Sequence, residues 1–176
     1  MTTPSSQPGL PTPAGRVIPD GDHATLEFKR TVQHPPAAVW DALTKPEQLT
    51  AWLARTATVE GRSGGSVDVV AGATGTRWSG RILTWVKPFV LEYEWNAEAG
   101  AGQPHAERAV VRWELIPSGA AATALTVTQR RLSKQAAAAL APAMHTAVDR
   151  LEAHLAKTSP PDWSERQDAV RGAYPS

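Results

Sequence analysis

The chain has no cysteine among its 176 residues. Disulfides, thiolate catalysis and cysteine-ligated zinc or iron–sulfur centres are therefore excluded. It also lacks an excess of either charge: 18 Lys and Arg face 17 Asp and Glu, a formal net charge of +1. A dedicated nucleic-acid binder concentrates basic residues on one face, so no nucleic-acid partner is expected. No stretch approaches the ~18 apolar residues of a membrane span. Met1 to Pro19 holds five prolines and no apolar core of an export signal. The expected address is the cytoplasm, with no membrane partner. The five histidines are scattered, without His-Glu-x-x-His or another pair at metal-ligand spacing. Neither Gly-rich phosphate motif is present, and no metal or cofactor is expected. Phe and Tyr are scarce at two each, but Trp numbers seven. Indoles this frequent must be packed or must line something.

What remains is one domain's worth of sequence, able to bury about two-thirds of its unfolded surface. Residues 1–20 read as a disordered leader, rich in Pro, Ser, Thr and Gly and poor in the apolar residues that offset ordering entropy. A strand is expected over Ala24 to Gln33, where Leu26, Phe28 and Val32 alternate with polar residues. Arg30 falls on its apolar face. It is either buried against a carboxylate, aimed into a cavity, or at a strand end and reaching water. Pro35-Pro36 and Pro46 suit the first turns of two short helices. Val39, Trp40 and Leu43 stripe the first, and Leu49, Trp52 and Leu53 the second.

The period then changes to two. Strands are expected at 56–60, 67–71, 77–86, 90–96, 109–116 and 124–130, joined by turns such as Arg62-Ser63-Gly64-Gly65 and by a flexible loop over 97–104. Leu91, Tyr93 and Trp95 share one face, as do Val111, Trp113 and Leu115. Trp78 and Trp85 fall on opposite faces by strict alternation, unless a bulge intervenes; an exposed one would favour a homodimer. The last large element is a helix over 133–157, capped by Ser133 and kinked or split at Pro142. Met144, Val148, Leu151 and Leu155 form one apolar stripe along it. Residues 158–176 are a polar tail that either folds back through Trp163 and Tyr174 or stays disordered. The order is α+β: about seven strands in an antiparallel meander, curled around the C-terminal helix, with a cavity between sheet and helix.

Val39-Trp40-Asp41-Ala42-Leu43-Thr44-Lys45-Pro46-Glu47-Gln48-Leu49 followed by Trp52, with Pro35-Pro36 before it, resembles the N-terminal signature of the START-like (SRPBCC) helix-grip superfamily. Within it, the chain is most similar to proteins related to the C-terminal domain of the activator of heat-shock-protein-90 ATPase. Gly64-Gly65, Gly80-Arg81-Ile82-Leu83 running to Pro88, Leu91-Glu92-Tyr93-Glu94-Trp95 and the 123–128 segment also match. The resemblance spans about residues 22–157, which is the expected domain 21–157 between leader and tail. Many relatives carry a Gly-Trp pair entering the last helix; Ala143-Met144 stands here, which would enlarge or soften the pocket wall. The sequence holds no counterpart of the large N-terminal domain of the eukaryotic co-chaperone.

The resemblance implies non-enzymatic binding of a small hydrophobic molecule. Trp95, Trp113 and Tyr93 would form the sheet wall, Met144 and Val148 the helix wall, and Trp52 and Trp78 the cavity's border. Arg30 or His145 would orient a polar end. A second reading is a protein-interaction module with a chaperone partner. A third is a polyketide cyclase-like enzyme using His145 with Asp149, or Arg30, as the acid–base group. Against the last stands the simpler reading of His145 and Asp149 as an exposed i, i+4 helix pair. Glu92 and Glu94 read as the solvated face of the sheet.

Overall fold

A computed structural model describes residues 12–100 and 105–174. The elements run β1 (Arg16–Asp20), β2 (His23–Val32), α1 (Pro36–Thr44), α2 (Pro46–Trp52), β3 (Ala54–Val59), β4 (Ser66–Ala71), β5 (Arg77–Val86), β6 (Val90–Ala97), β7 (Glu107–Pro117), β8 (Thr123–Ser133), α3 (Lys134–Leu155) and α4 (Trp163–Val170). All eight strands join one antiparallel sheet in the order β1-β2-β8-β7-β6-β5-β4-β3. From β3 to β8 it is a meander in which each strand pairs with the next along the chain. The exception is β2, which pairs with the last strand, so the first and last thirds of the chain meet towards one side of the sheet, one strand in from its β1 edge. This is the expected α+β helix-grip architecture: a curved sheet with α3 across its inner face.

Alternation dictates which face is buried. In β2, Ala24, Leu26, Phe28, Arg30 and Val32 are buried while their neighbours are not. In β6 and β7, Leu91, Tyr93, Trp95, Ala109, Val111, Trp113 and Leu115 face the core. From the other side α3 contributes Ala137, Ala141, Val148 and Leu151, and α1 and α2 contribute Trp40 and Trp52. Burying side chains of the Val, Leu or Phe class stabilises the fold by about 1.5–3 kcal/mol each. Trp52 also donates its indole N–H to the Ala42 carbonyl at 2.9 Å, which locks the two short helices together.

Three expectations need correction. The strand count is eight, because Arg16–Asp20 pairs with the outer edge of β2 instead of belonging to a disordered leader; residues 1–11 lie outside the described set. Helix α3 is continuous through Pro142. The carbonyl that Pro142 leaves without its helical partner belongs to Ala138, an exposed position where water can take it. Trp78 and Trp85 share the inner face, because a bulge between Ile82 and Thr84 turns Leu83 out and restarts the alternation. Gly80 stands just before that bulge, and a Cβ there would lie 2.1 Å from the Glu94 carbonyl oxygen, so the close approach of β5 to β6 demands glycine. Of the two courses left open for the C-terminal tail, it takes the first and folds back as α4. Among the described residues, no helix is long and apolar enough to cross a membrane.

Candidate functional site

Between the N-terminal half of α3 and the sheet lies a cavity of about 300 Å³. Its existence follows from side-chain size. Ala136, Ala139, Ala143 and Ala147 recur every three or four residues on the face of α3 that looks across to Trp78 and Trp95. Each alanine leaves space that a larger residue would fill. Leu140 and Met144 complete the helix wall, Leu53 and Ala71 the side, and Trp163 with Gln167 on α4 the rim. A second, apolar void of only about 20 Å³ lies among Trp52, Tyr93, Trp113 and their neighbours. That is room for about one water-sized probe. Burial pushes the Tyr93 hydroxyl up to about 12, so it stays protonated beside the Trp113 indole.

The polar groups of the larger cavity are few. Glu107 accepts a hydrogen bond from the Ser133 hydroxyl at 2.6 Å, and Ser133 in turn accepts the Ala136 N–H at 3.1 Å as the α3 N-cap. Gln129 on β8 is 3 % exposed and lines the cavity. Thr74, Thr76 and His105 stand towards one end.

The other face of α3 carries a separate, charged cluster. Asp149 accepts from Arg30 Nη1 at 2.8 Å and from Arg166 Nε at 2.7 Å. Arg30 also donates to Glu152 at 3.1 Å and to the Pro13 carbonyl at 3.0 Å. His145, 2 % exposed, uses both ring nitrogens: Nδ1 lies 2.7 Å from the Tyr174 hydroxyl and Nε2 lies 2.6 Å from Thr12 Oγ1. One proton order satisfies the chain. Gly15 N–H donates to Tyr174, Tyr174 to Nδ1, Nε2–H to Thr12, and Thr12 to Asp149. Burial pushes His145 down to about 4 against the attraction of Asp149, with Arg30 and Arg166 adding to the fall. The ring is therefore neutral at pH 7. This cluster clasps the 12–15 segment and the C-terminal tail to the body of the fold.

Sequence comparison assigns the family. The model described as activator of Hsp90 ATPase homolog 1-like protein matches residues 33–156, from the approach to α1 through the end of α3. The chain belongs to the activator of Hsp90 ATPase homolog 1-like family. No curated protein matches the sequence. Solved structures share the fold of this family member. CalU16 from Micromonospora echinospora is 22% identical with a TM-score of 0.66, covering 92% of each chain. DynU16, a protein of the dynemicin biosynthetic locus, is 24% identical with a TM-score of 0.65, covering 81% of this chain and 49% of that one. PFC0360w, an HSP90 activator from Plasmodium falciparum, is 19% identical with a TM-score of 0.50, covering 61% and 73%. At these identities the likeness is one of fold alone.

Within this family member the residues singled out from sequence divide three ways. Trp78, Trp95 and Met144 come together on the large cavity. Trp52, Tyr93 and Trp113 surround the small void, with Trp78 between the two spaces. Val148 is fully buried and lines neither; Arg30 and His145 stand in the charged cluster behind α3. His145 and Asp149 are thus not an exposed pair, and their polar atoms are taken up by the clasp. Gly61-Arg62-Ser63-Gly64-Gly65 has the spacing of a nucleophile elbow, but it forms an exposed turn between two antiparallel strands, with no helix after it. Sequence reasoning passed over Gln129, whose signal was present: it continues the Leu125, Val127 alternation and so places an amide on the apolar face of β8. The alanine face of α3 and the rim contributed by α4 were passed over too.

Proposed function

We propose that this protein binds a small hydrophobic molecule in the large cavity, without chemistry on it. The carrying observation is the space itself. Protein interiors are close-packed, with few voids larger than a water molecule. Here about 300 Å³ stays open between an alanine face and two tryptophans, as a pocket that reaches solvent past exposed Thr74, His105 and Gln135. A cavity of ~150 Å³ accepts benzene, so this one fits a molecule of about two fused rings. An apolar wall with a few polar groups is the usual form of a small-molecule site. The acid–base pair expected for an enzyme is engaged in the clasp, which supports binding over catalysis. A cytoplasmic setting is part of the same proposal.

Native mass spectrometry of freshly purified protein, compared with its denatured mass, tests the reading. The expected result is a non-covalent adduct that is lost in Met144→Trp, which fills the cavity, and weakened in Trp95→Ala. An adduct that persists unchanged in both variants would place the ligand elsewhere.

The family assignment favours a second reading, a chaperone-associated interaction module. Val86, Phe89 and Ile116 are exposed near the β5–β6 turn and the adjoining end of β7, and they offer it an apolar contact. Recovery of the chaperone in a pull-down together with stimulated ATPase activity would support it; neither being seen would remove it. The homodimer expected from an exposed Trp78 or Trp85 loses its motive, since Trp78 is buried and Trp85 packs edge-on against Trp40 at 4.9 Å.

A further inference from the structure

Resting on the binding reading above, we propose that Gln129 orients the ligand, and that the ligand offers it an uncharged carboxamide. A buried amide is normally paired, because an unpaired one forfeits its hydration without replacement. Of the other polar side chains of the cavity, Gln135 is exposed to water and the rest have partners. Ser133 bonds Glu107, Thr74 bonds Thr76, and Gln167 accepts from the Trp163 indole at 2.8 Å. Gln129 is 3 % exposed and lines the cavity, and its side-chain amide, open to that space, makes no hydrogen bond among the described residues. It carries both a donor and an acceptor, which matches a group that also carries both.

Rigidity supports an orienting role. Gln129 lies on an interior strand, in register with Leu26 of β2 on one side and Val111 of β7 on the other. Its backbone is fixed from both flanks, so its amide is presented from a rigid wall.

Charge selects the chemistry. Among the described residues no Lys or Arg lines the cavity; His105 stands only at its exposed end, and Glu107 contributes a carboxylate. A carboxylate or phosphate ligand would be buried without a counter-ion, which is strongly unfavourable. The backbone maintains this exclusion. Continued alternation beyond Gln129 would turn Arg131 inward. Instead Arg130 and Arg131 together oppose Thr25 in a bulge, Arg131 adopts φ 67° and stays exposed, and Leu132 takes the next inward place. A left-handed backbone at a non-glycine residue is strained. Arg130 points to the outer face and pairs with Glu92 at 2.9 Å.

The test uses the full-length protein and four two-ring probes: naphthalene, 2-naphthamide, 2-naphthoate and 2-naphthylmethylammonium. Titrations are followed by the indole N–H resonances of Trp78 and Trp95. The expected result is that 2-naphthamide binds about five- to tenfold more tightly than naphthalene, the gain of one or two net hydrogen bonds, and more tightly than either ion. In Gln129→Leu the amide preference should vanish while naphthalene still binds; Gln129→Met carries the same test if the leucine variant does not fold. Equal binding of amide and naphthalene to the natural protein overturns the proposal and leaves the cavity reading standing. So does an amide preference that survives in the variant, or tightest binding by either ion, with the ammonium pointing to Glu107 as anchor. Failure of every probe to bind overturns the cavity reading and this inference with it.

Discussion

His145 is neutral in the fold and free to charge in the unfolded chain, and that difference makes stability depend on pH. Four titratable or charged groups face the ring or stand one bond beyond it: Asp149, Arg30, Arg166 and the Tyr174 hydroxyl. Burial dominates, so the folded value is about 4 against 6.5 for the free side chain. The unfolded state therefore binds the proton first. Stability from this residue is fully present above the unfolded value and is lost as pH falls towards the folded one. Urea unfolding at pH 7.5 and pH 4.5 should show His145→Gln losing roughly 2 kcal/mol less than the natural protein over that interval. Equal losses in both would refute the assignment. The i, i+4 spacing of His145 and Asp149 was legible in the sequence, but their burial was not. What covers them is Thr12 and Tyr174, which stand 133 and 29 residues away from His145.

At the scale of elements, α4 shows how tertiary contacts override local preference. It has eight residues and a polar composition, too short to hold as a helix alone. Asp162 caps it by accepting the Glu165 N–H at 3.0 Å. Arg166 bonds Asp149, Trp163 lies under the Arg150 guanidinium at 5.9 Å, and Arg150 also reaches the Trp52 and Pro161 carbonyls. Arg166→Ala should speed amide hydrogen exchange across 163–170 while leaving the central strands β7 and β8 protected; unchanged exchange in α4 would show that Arg166 does not hold it. The bulge in β5 makes the same point from the other side. Alternation assigned Trp78 and Trp85 to opposite faces, and one extra residue, Leu83, brought them together. Pro142 marked a break by propensity, yet packing of Ala141, Thr146 and Val148 on either side keeps α3 whole.

Across the whole molecule, Asp149 is where the two ends of the chain meet the body: Thr12 comes from one end, Arg166 from the other, and Arg30 from the sheet. Asp149→Ala would leave two buried guanidiniums without their shared carboxylate and should lower stability by about 3 kcal/mol, read from the urea midpoint. A loss below about 0.5 kcal/mol would mean that the cluster is solvated and the clasp weak. The sequence by itself determined the helix-grip order of elements, the α1–α2 signature and the indole-rich inner face, because period and turn chemistry are local properties. Only the tertiary structure decided where open space remains and which polar groups face it. Space depends on alanines of α3 standing opposite Trp78 and Trp95. The polar lining depends on two bulges, each of which changes the face of every residue beyond it. No local pattern carries either fact.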